Sequence, residues 1–449
     1  DLNINSLADN LIYDTRRVNG SWQSPFNPYG TAFNLPDQLT SINVGHDENS
    51  ALWVDTGASP DNLVFDVLHD GTVSQTSLQQ SPGLADYYEG ERRVVGTNGG
   101  TLFVFYYDGS NILYKTSTDF GHTWSGTATS TGSGQLTSSD NYRWSVAYTP
   151  YGGSERISVI YYKLSGSNTE FYAKTYTVNG LILSLVATAN LFSVANDSSC
   201  TPTGVCAAAS GASDSNGAIY AAFSYKTGGS WYKKVMKSSD GGQTWTVSVG
   251  AASITTTGSR VPITITRLNS TGMLLTWAKY DQSGMFYKVY NGSSWTPAIA
   301  LSNIGWSSNT VKQISSDTVN STKEAYVTYL TGGNQGTLKV AKFFGNGTFK
   351  AVETADGTLN HWQPSISITY DDVVHIYSFA NSIIYDTQYN GTAWEPPIPP
   401  YGTDYEDPDQ LTSQMAGLMS TGVLWRAGST APYTLVYAGQ IASSPGTTS

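Results

Sequence analysis

An all-β propeller of four-stranded antiparallel blades is the fold that this 449-residue chain predicts. Three observations carry that expectation: a recurring apolar strand, a recurring hairpin turn, and a repeat that links the two ends. The strand type appears as Ser50–Thr56, Thr101–Tyr107, Arg156–Tyr162, Ala218–Tyr225, Met273–Tyr280, Glu324–Leu330, Val373–Phe379 and Gly422–Arg426. Runs this apolar suit strands packed on both faces, so each is expected to be the second strand of a blade. Turns with Asn-Gly, Asp-Gly or Asp-x-Gly fall at Asn19, Asp70, Asp119, Asn179, Asp240, Asn291, Asn346 and Asn390. Asn, Asp and Gly accept the positive φ that tight hairpins demand. The turns are 44 to 61 residues apart, a propeller-like period. No long segment keeps a capped helical pattern.

The ends define how the ring is expected to close. Leu11–Ser41 matches Ile383–Ser413 without a gap at a constant offset of 372 residues. That offset equals seven blade steps of about 53 residues. On this reading the chain starts at the third and fourth strands of a blade and ends with the first and second strands of another. Joining the half-blades closes eight blades and hides both sheet edges. Tyr433–Gln440 also reads as a third strand and competes with Leu11–Thr15 for one place. Either one of them is displaced, or seven blades close and the spare half-blade pairs elsewhere, for example with a second molecule in self-assembly. A single domain over 1–442 is expected, followed by a flexible Ser/Pro/Gly/Thr tail over 443–449.

Composition narrows the partners. The formal net charge is −11 and no Lys/Arg run interrupts it, so nucleic acid is excluded as a partner. Charged residues make up 13% of the chain, about half the usual share. No apolar run approaches bilayer-spanning length, so membrane association is expected only through a tether outside this chain. The chain begins at Asp1 without a basic and apolar leader, as a processed secreted protein does. Cys200 and Cys206 flank Pro202 and Gly204, a spacing that suits a small disulfide loop; two buried thiols are the alternative. Seven N-x-S/T sequons, at Asn19, Asn196, Asn269, Asn291, Asn320, Asn346 and Asn390, favour an oxidising, glycosylating route and an extracellular or cell-surface location. No metal or cofactor is expected.

Two turns carry a sharper signature. Ser117–Trp124 and Ser238–Trp245 both read S-x-D-x-G-x-T-W. Asp119 and Asp240 are placed to accept hydrogen bonds from the turn's own N–H groups, while Trp124 and Trp245 are placed to pack back between sheets. Shorter versions occur at Asn291–Trp295 and Asn390–Trp394. The pattern resembles the Asp box (BNR repeat) of the sialidase-like propeller superfamily. In that family these turns stand away from the active site, so the resemblance implies a structural role for both Asp/Trp pairs.

Strand order divides the ring into two rims. The first-to-second and third-to-fourth turns share one rim, and the starts of first strands share the other. Gln38, Arg93, Arg143, Arg260, Lys312, Gln363 and Gln410 occupy those starts. Arg93, Arg143 and Arg260 are three of only nine arginines. The sialidase resemblance implies an arginine triad for a substrate carboxylate, and guanidinium forks suit that task. Arginines that bridge blades structurally are the alternative. Together with Lys312, Trp362 and Gln363 they form the candidate anion or sugar site. Aromatic residues on the same connectors, among them Tyr87, Tyr88, Trp306, His361 and Trp362, are candidates for stacking on sugar rings or for packing between blades.

A sialidase also needs a tyrosine nucleophile with a glutamate and a separate aspartate. Tyr142, Glu89, Glu91 and Asp37 are near this rim, but no spacing selects them. The aromatic-Arg-Ile-Pro segment of that family precedes its boxes, whereas Ser259–Pro262 follows both here. Catalytic residues are therefore unassigned. Recognition of a glycan or surface protein is the leading expectation, ahead of a sialidase-type exo-glycosidase and a structural subunit of a filament or surface layer. Six sequons fall on the turn-bearing rim, leaving the other rim free of sugar apart from Asn196.

Overall fold

The computed structural model describes side chains over 93–98, 100–106, 112–118, 124–125, 144–198, 207–254, 261–279, 284–301, 314–319, 321–331, 336–369, 372–381 and 383–398, and the backbone alone of further strands. The chain divides into two compact units, 1–73 with 440–449 and 74–439. The first unit holds the antiparallel sheet β1 (Leu2–Ala8), β2 (Leu11–Val18) and β3 (Ser21–Trp22), and the sheet β4 (Pro36–Asn43), β5 (Asn49–Asp55) and β6 (Asn62–Leu68).

The second unit begins with β7 (Thr76–Ser81) and continues through successive antiparallel sheets. They are β8 (Val94–Gly96), β9 (Leu102–Tyr107), β10 (Ile112–Ser117) and β11 (Thr129–Ser130); then β12 (Trp144–Tyr151), β13 (Ser154–Ser165), β14 (Asn168–Asn179) and β15 (Ile182–Ala195). Next come β16 (Ala207–Ser213), β17 (Ile219–Thr227), β18 (Ser230–Ser238) and β19 (Thr246–Thr255), followed by β20 (Ile263–Arg267), β21 (Met273–Ala278), β22 (Met285–Tyr290) and β23 (Ile299–Leu301). The fifth sheet has β24 (Ile314–Thr318), β25 (Ala325–Gly332), β26 (Gly336–Phe343) and β27 (Phe349–Ile368). The long β27 runs on into the next sheet, with β28 (Val374–Ala380) and β29 (Ile383–Tyr389); β30 (Asp409–Met415), β31 (Ser420–Ala427) and β32 (Tyr433–Ile441) complete the order. No helix appears among the described residues.

This is an all-β propeller arrangement, with five sheets of four consecutive strands each. All eight predicted second strands are strands, and each lies second in its sheet. First strands of successive sheets lie side by side in the order β8, β12, β16, β20, β24, β27 and β30. β30 then pairs in parallel with β8 through Gln414↔Val94 and Met415↔Val95.

The strand pairings show which of the two competing segments lies beside β31. Leu11–Thr15 lies in β2, whose neighbours are β1 and β3, while β31 lies between β30 and β32. Tyr433–Ile441 therefore holds the third-strand place, and β7 pairs with it from Tyr433↔Ser81 to Tyr437↔Thr76. Chain entropy explains the outcome: β32 reaches β31 across a five-residue loop, whereas β2 would have to close nearly the whole chain.

Packing follows from sheets that cannot cover themselves. Five apolar clusters each combine residues of two successive sheets, such as Phe105 with Trp144, Phe171 with Phe223, and Trp231 with Leu275. Second strands are covered on both faces: every residue of β21 and β28 is buried. Third strands alternate, as in β22.

The turn at Asp240 shows how one rim is tied together. Its Oδ1 accepts from Ser238 Oγ at 2.7 Å, Gln243 N at 3.0 Å and Thr244 N at 2.9 Å; its Oδ2 accepts from Thr244 Oγ1 at 2.6 Å. Burial opposes ionisation, but the bonds from Thr244, Ser238 and Gln243 prevail and hold this carboxyl below its usual range. The turn also grips the preceding sheet. Arg156 Nη1 donates to Asp240 O at 3.2 Å and Gly241 O at 2.8 Å, and Thr175 Oγ1 donates to Gly242 O at 3.2 Å. Trp245 Nε1 donates to Gly242 O at 3.2 Å, with its ring against the cluster shared by the same two sheets. Asp119 lies outside the described residues; Trp124 is half-buried against the Val94–Tyr106 cluster.

Gly242 has φ +90°, and a Cβ there would lie 2.1 Å from Thr175 Oγ1, whereas a Cβ at Gly250 meets nothing within 4 Å. Gly242→Ala is expected to destabilise the protein by at least about 2 kcal/mol, through the left-handed backbone and the clash. Gly250→Ala is expected to be near neutral. Equal melting temperatures for the two variants in calorimetry would refute this account of the turn.

Candidate functional site

Of the predicted site residues, Arg93, Trp362 and Gln363 are described; Arg143, Arg260 and Lys312 lie outside the described residues. Arg93 is completely buried, its guanidinium 4.4 Å above the Trp144 ring at the start of the next first strand. Its backbone oxygen accepts from Phe105 N at 2.9 Å. The guanidinium is thus stacked between two first strands, at the position where the sequence placed the first member of an anion site.

Trp362 and Gln363 occupy the transition between the outer and inner halves of β27. The ladder with β28 runs Trp362↔Phe379 and resumes at Ser365↔Tyr377, so Gln363 and Pro364 form a bulge. Gln363 has φ +49°, a costly conformation for a residue with a Cβ, and is 9% exposed. Trp362 is half-buried, edge-on to Phe379 at 6.1 Å, and packs against the cluster shared by β26 and β28. The ladders of β4 and β30 skip register at the matching places, Asp37/Thr40 and Asp409/Thr412. The recurrence of Gln38, Gln363 and Gln410 in the sequence thus coincides with a recurrent break of first-strand pairing.

The bulge rests on a buried polar triad. His361 Nε2 is 2.6 Å from Asp356 Oδ2, and His361 Nδ1 is 2.8 Å from Ser378 Oγ. Asp356 also accepts from Thr358 N and Oγ1 and from Leu359 N. Burial disfavours its charge, yet the bonds from His361, Thr358 and Leu359 hold the carboxyl below its usual range. Burial lowers the His361 pKa more than the Asp356 contact raises it. A neutral ring that donates through Nε2–H leaves Nδ1 to accept from the Ser378 hydroxyl. The order Asp–His–Ser matches an activated hydroxyl, but Ser378 and His361 are both 0% exposed. A nucleophile that no substrate reaches does not catalyse; the triad is a strut between β27 and β28. His361 was singled out in the sequence as one of the rim's aromatic residues. Asp356 and Ser378 were missed because they meet His361 only through strand pairing.

A tyrosine–glutamate pair exists as well, on the opposite rim. Tyr148 Oη donates to Glu155 Oε1 at 2.5 Å, and Asn98 N donates to both groups at 3.1 and 2.6 Å. Burial, reinforced by Glu155, pushes the Tyr148 phenol well above its usual range, which opposes a phenolate nucleophile. The side chains of Tyr142, Glu89, Glu91 and Asp37 lie outside the described residues, as do those of Cys200, Cys206, Asn19 and Asn320. Among the described residues no group of three or more His, Cys, Asp or Glu side chains is placed to hold a metal ion.

The remaining sequons divide by geometry. Asn291, Asn346 and Asn390 are exposed at third-to-fourth turns. Asn269, half-buried at a first-to-second turn, donates through Nδ2 to Gly345 O at 2.9 Å, joining its turn to the Asn346 turn of the next blade. Asn196 is half-buried and donates to Gly166 O at 3.0 Å.

No family model matches the chain, and no curated protein matches its sequence. Solved structures with similar strand arrangements include a triple mutant of AofleA from Arthrobotrys oligospora, at 14% identity and TM-score 0.44 over 73% of this chain and 90% of that one. A Hadza microbial sialidase, Hz136, is 13% identical with TM-score 0.45 over 88% of this chain and 73% of its own. A polysaccharide lyase of family PL25, an ulvan lyase, is 10% identical with TM-score 0.49 over 80% and 95%. At such identities and scores no residue here takes a role from them.

His361→Ala is expected to cost about 2–4 kcal/mol, because it leaves a buried carboxylate without its partner. His361→Gln, which keeps a donor, is expected to retain more stability. Because burial keeps His361 neutral below the pH at which it protonates when unfolded, wild-type stability falls as pH drops below about 6.5, and that component vanishes in His361→Gln. Identical pH–stability curves for wild type and His361→Gln would exclude the buried neutral ring.

Proposed function

We propose that this chain is an extracellular or cell-surface, sialidase-like propeller that works by recognition, binding a glycan or surface protein through the rim where first strands begin. The single observation behind this reading is how the exposed sequons divide between the two rims; inter-blade bonds occur on both, with Lys226 and Gly229 meeting Asp197 on the rim of the second-to-third turns. On the other, turns of adjacent blades are bonded to each other through Arg156 to the Asp240 turn, Ser215 N to Ser270 O, Asn269 to Gly345, and Ser321 N to Asp372. That rim also carries the exposed sequons Asn291, Asn346 and Asn390, which glycans would cover. A rim coated with sugar is a poor contact surface, and recognition falls to the opposite one.

In this reading seven blades close the ring. The order of first strands from β8 to β30, the return of β30 to β8, and the addition of β7 beside β32 support it. The Asp240 hairpin, with its self-contained carboxylate cage, supports the Asp-box assignment. Arg143, Arg260 and Lys312 would supply the polar contacts to an acidic or hydroxylated ligand, with Trp362 and Gln363 beside them. Arg93 belongs to the blade packing described above.

The test is glycan-array binding by protein made in a glycosylating host, with fluorogenic sialosides run in parallel. Binding without turnover, weakened about tenfold or more by Arg260→Ala or Arg143→Ala, is the expected result. Turnover abolished by the same substitutions would replace recognition with a sialidase-type exo-glycosidase. Enzymatic removal of N-glycans is expected to leave binding intact; its loss would place the contact surface on the wrong rim.

A further inference from the structure

We propose that the seam between the sheet β16–β19 and the sheet β20–β23 binds an oxyanion, of the carboxylate, sulfate or phosphate class, on Lys233, Lys279 and Lys288. The chain has 34 Asp and Glu against 23 Lys and Arg, so acids are plentiful. Four other lysines use them: Lys163 lies 3.4 Å from Glu170, Lys226 3.5 Å from Asp197, Lys342 2.6 Å from Glu353, and Lys350 2.5 Å from Glu324; what sets Lys233, Lys279 and Lys288 apart is that they meet around one pair of rings. Among the described residues no carboxylate lies within 4.0 Å of Lys233, Lys279 or Lys288. Three cations gathered with no described carboxylate beside them call for an external counter-charge.

Their setting is built rather than accidental. Lys233, on β18 opposite Ser224, is 5% exposed, with its ammonium 4.2 Å above the Trp277 ring of the next sheet. Burial, and then the charges of Lys288 and Lys279, push its pKa down to about 8. Lys288 donates to Thr296 O at 2.7 Å, which leaves two of its three N–H groups for a ligand. Lys279 lies 4.8 Å over Phe286, and Phe286 stacks on Trp277 at 5.9 Å and 16°. Phe286 and Lys288 pair with Trp277 and Leu275, so they share one face of their sheet. The Trp277 Nε1–H is buried without a hydrogen-bond partner. The half-buried Lys279 and Lys288 thus present cations at the edge of a seam whose rings are already stacked, a setting that suits an oxyanion held by charge-assisted hydrogen bonds.

Electrostatics gives the direction of the effect. Like charges in a partly buried seam repel more strongly than in water, and an oxyanion replaces that repulsion with charge-assisted hydrogen bonds. Lys233, Lys279 and Lys288 are not among the residues assigned to rim recognition, and the two readings are tested with different variants and different probes.

The test titrates the full chain with sodium sulfate, inorganic phosphate and glucuronate, holding ionic strength constant with sodium chloride. A saturable rise in melting temperature is expected, on top of the unsaturable effect of sulfate on any protein. Lys279→Gln/Lys288→Gln, which alters two half-buried side chains, is expected to melt no lower than wild type in chloride. Its half-saturation is expected to weaken about tenfold. In lysine-selective NMR, one ammonium titrating near pH 8 is expected to move upward when the anion saturates. Glucuronate acting at lower concentration than sulfate or phosphate would identify an acidic saccharide; equal action would identify a small-anion site. The same saturable response in the double variant, or none in wild type, would overturn the proposal.

Discussion

The ring depends on how first strands satisfy the backbone groups on their inner edges. Apart from the short parallel pairing of β30 with β8, the described first strands have no ladder partner there, and a buried N–H without an acceptor costs about as much as a lost hydrogen bond. Side-chain oxygens of the preceding blade fill the gap. Ser210 Oγ accepts from Ile265 N at 3.2 Å, Ser315 Oγ from Ile366 N at 3.3 Å, and Asp317 Oδ2 from Ile368 N at 3.1 Å. Thr264 and Ser316 bond directly at 2.7 Å, and Ser213 Oγ donates to Tyr148 O at 2.6 Å. These buried Ser and Thr residues are therefore part of the mechanism of closure rather than polar residues stranded in a core.

That constraint fixes what the rest of each blade can do. With first strands bonded across blades and second strands such as β21 and β28 wholly buried, variation is left to the turns and outer strands. On one rim the turns are recruited into packing: Arg156 reaches the Asp240 turn, and a Cβ at Gly347 would strike Val289 at 2.5 Å. On the other, pairing breaks at the Gln363 bulge, and a buried Asp–His–Ser strut holds the break.

Between blades, lysines act as long apolar stems with charged ends. Lys342 lies 3.8 Å over Tyr389 while Glu353 takes its ammonium, a fully compensated arrangement. Lys233 repeats the stacking without the carboxylate. The contrast within one molecule is what turns a packing motif into a candidate ligand site, and it appears only when neighbouring blades are seen together.

The sequence by itself determined the strand identities, because period, apolar runs and Asn-Gly or Asp-x-Gly turns are local properties. Second strands from Ser50–Thr56 to Gly422–Arg426 were legible for that reason. Tertiary structure decided what depends on residues far apart in the chain. Two segments competed for one third-strand place, and the short link from β31 to β32 settled it in favour of Tyr433–Ile441. For Arg93 the sequence left a ligand role and blade bridging both open, and the Trp144 ring stacked on it belongs to the next blade. Asp356, His361 and Ser378 carry no shared motif, since a bulge and a strand pair bring them together. Local geometry is written in short-range pattern; burial and charge partnership are set by which blade lies alongside.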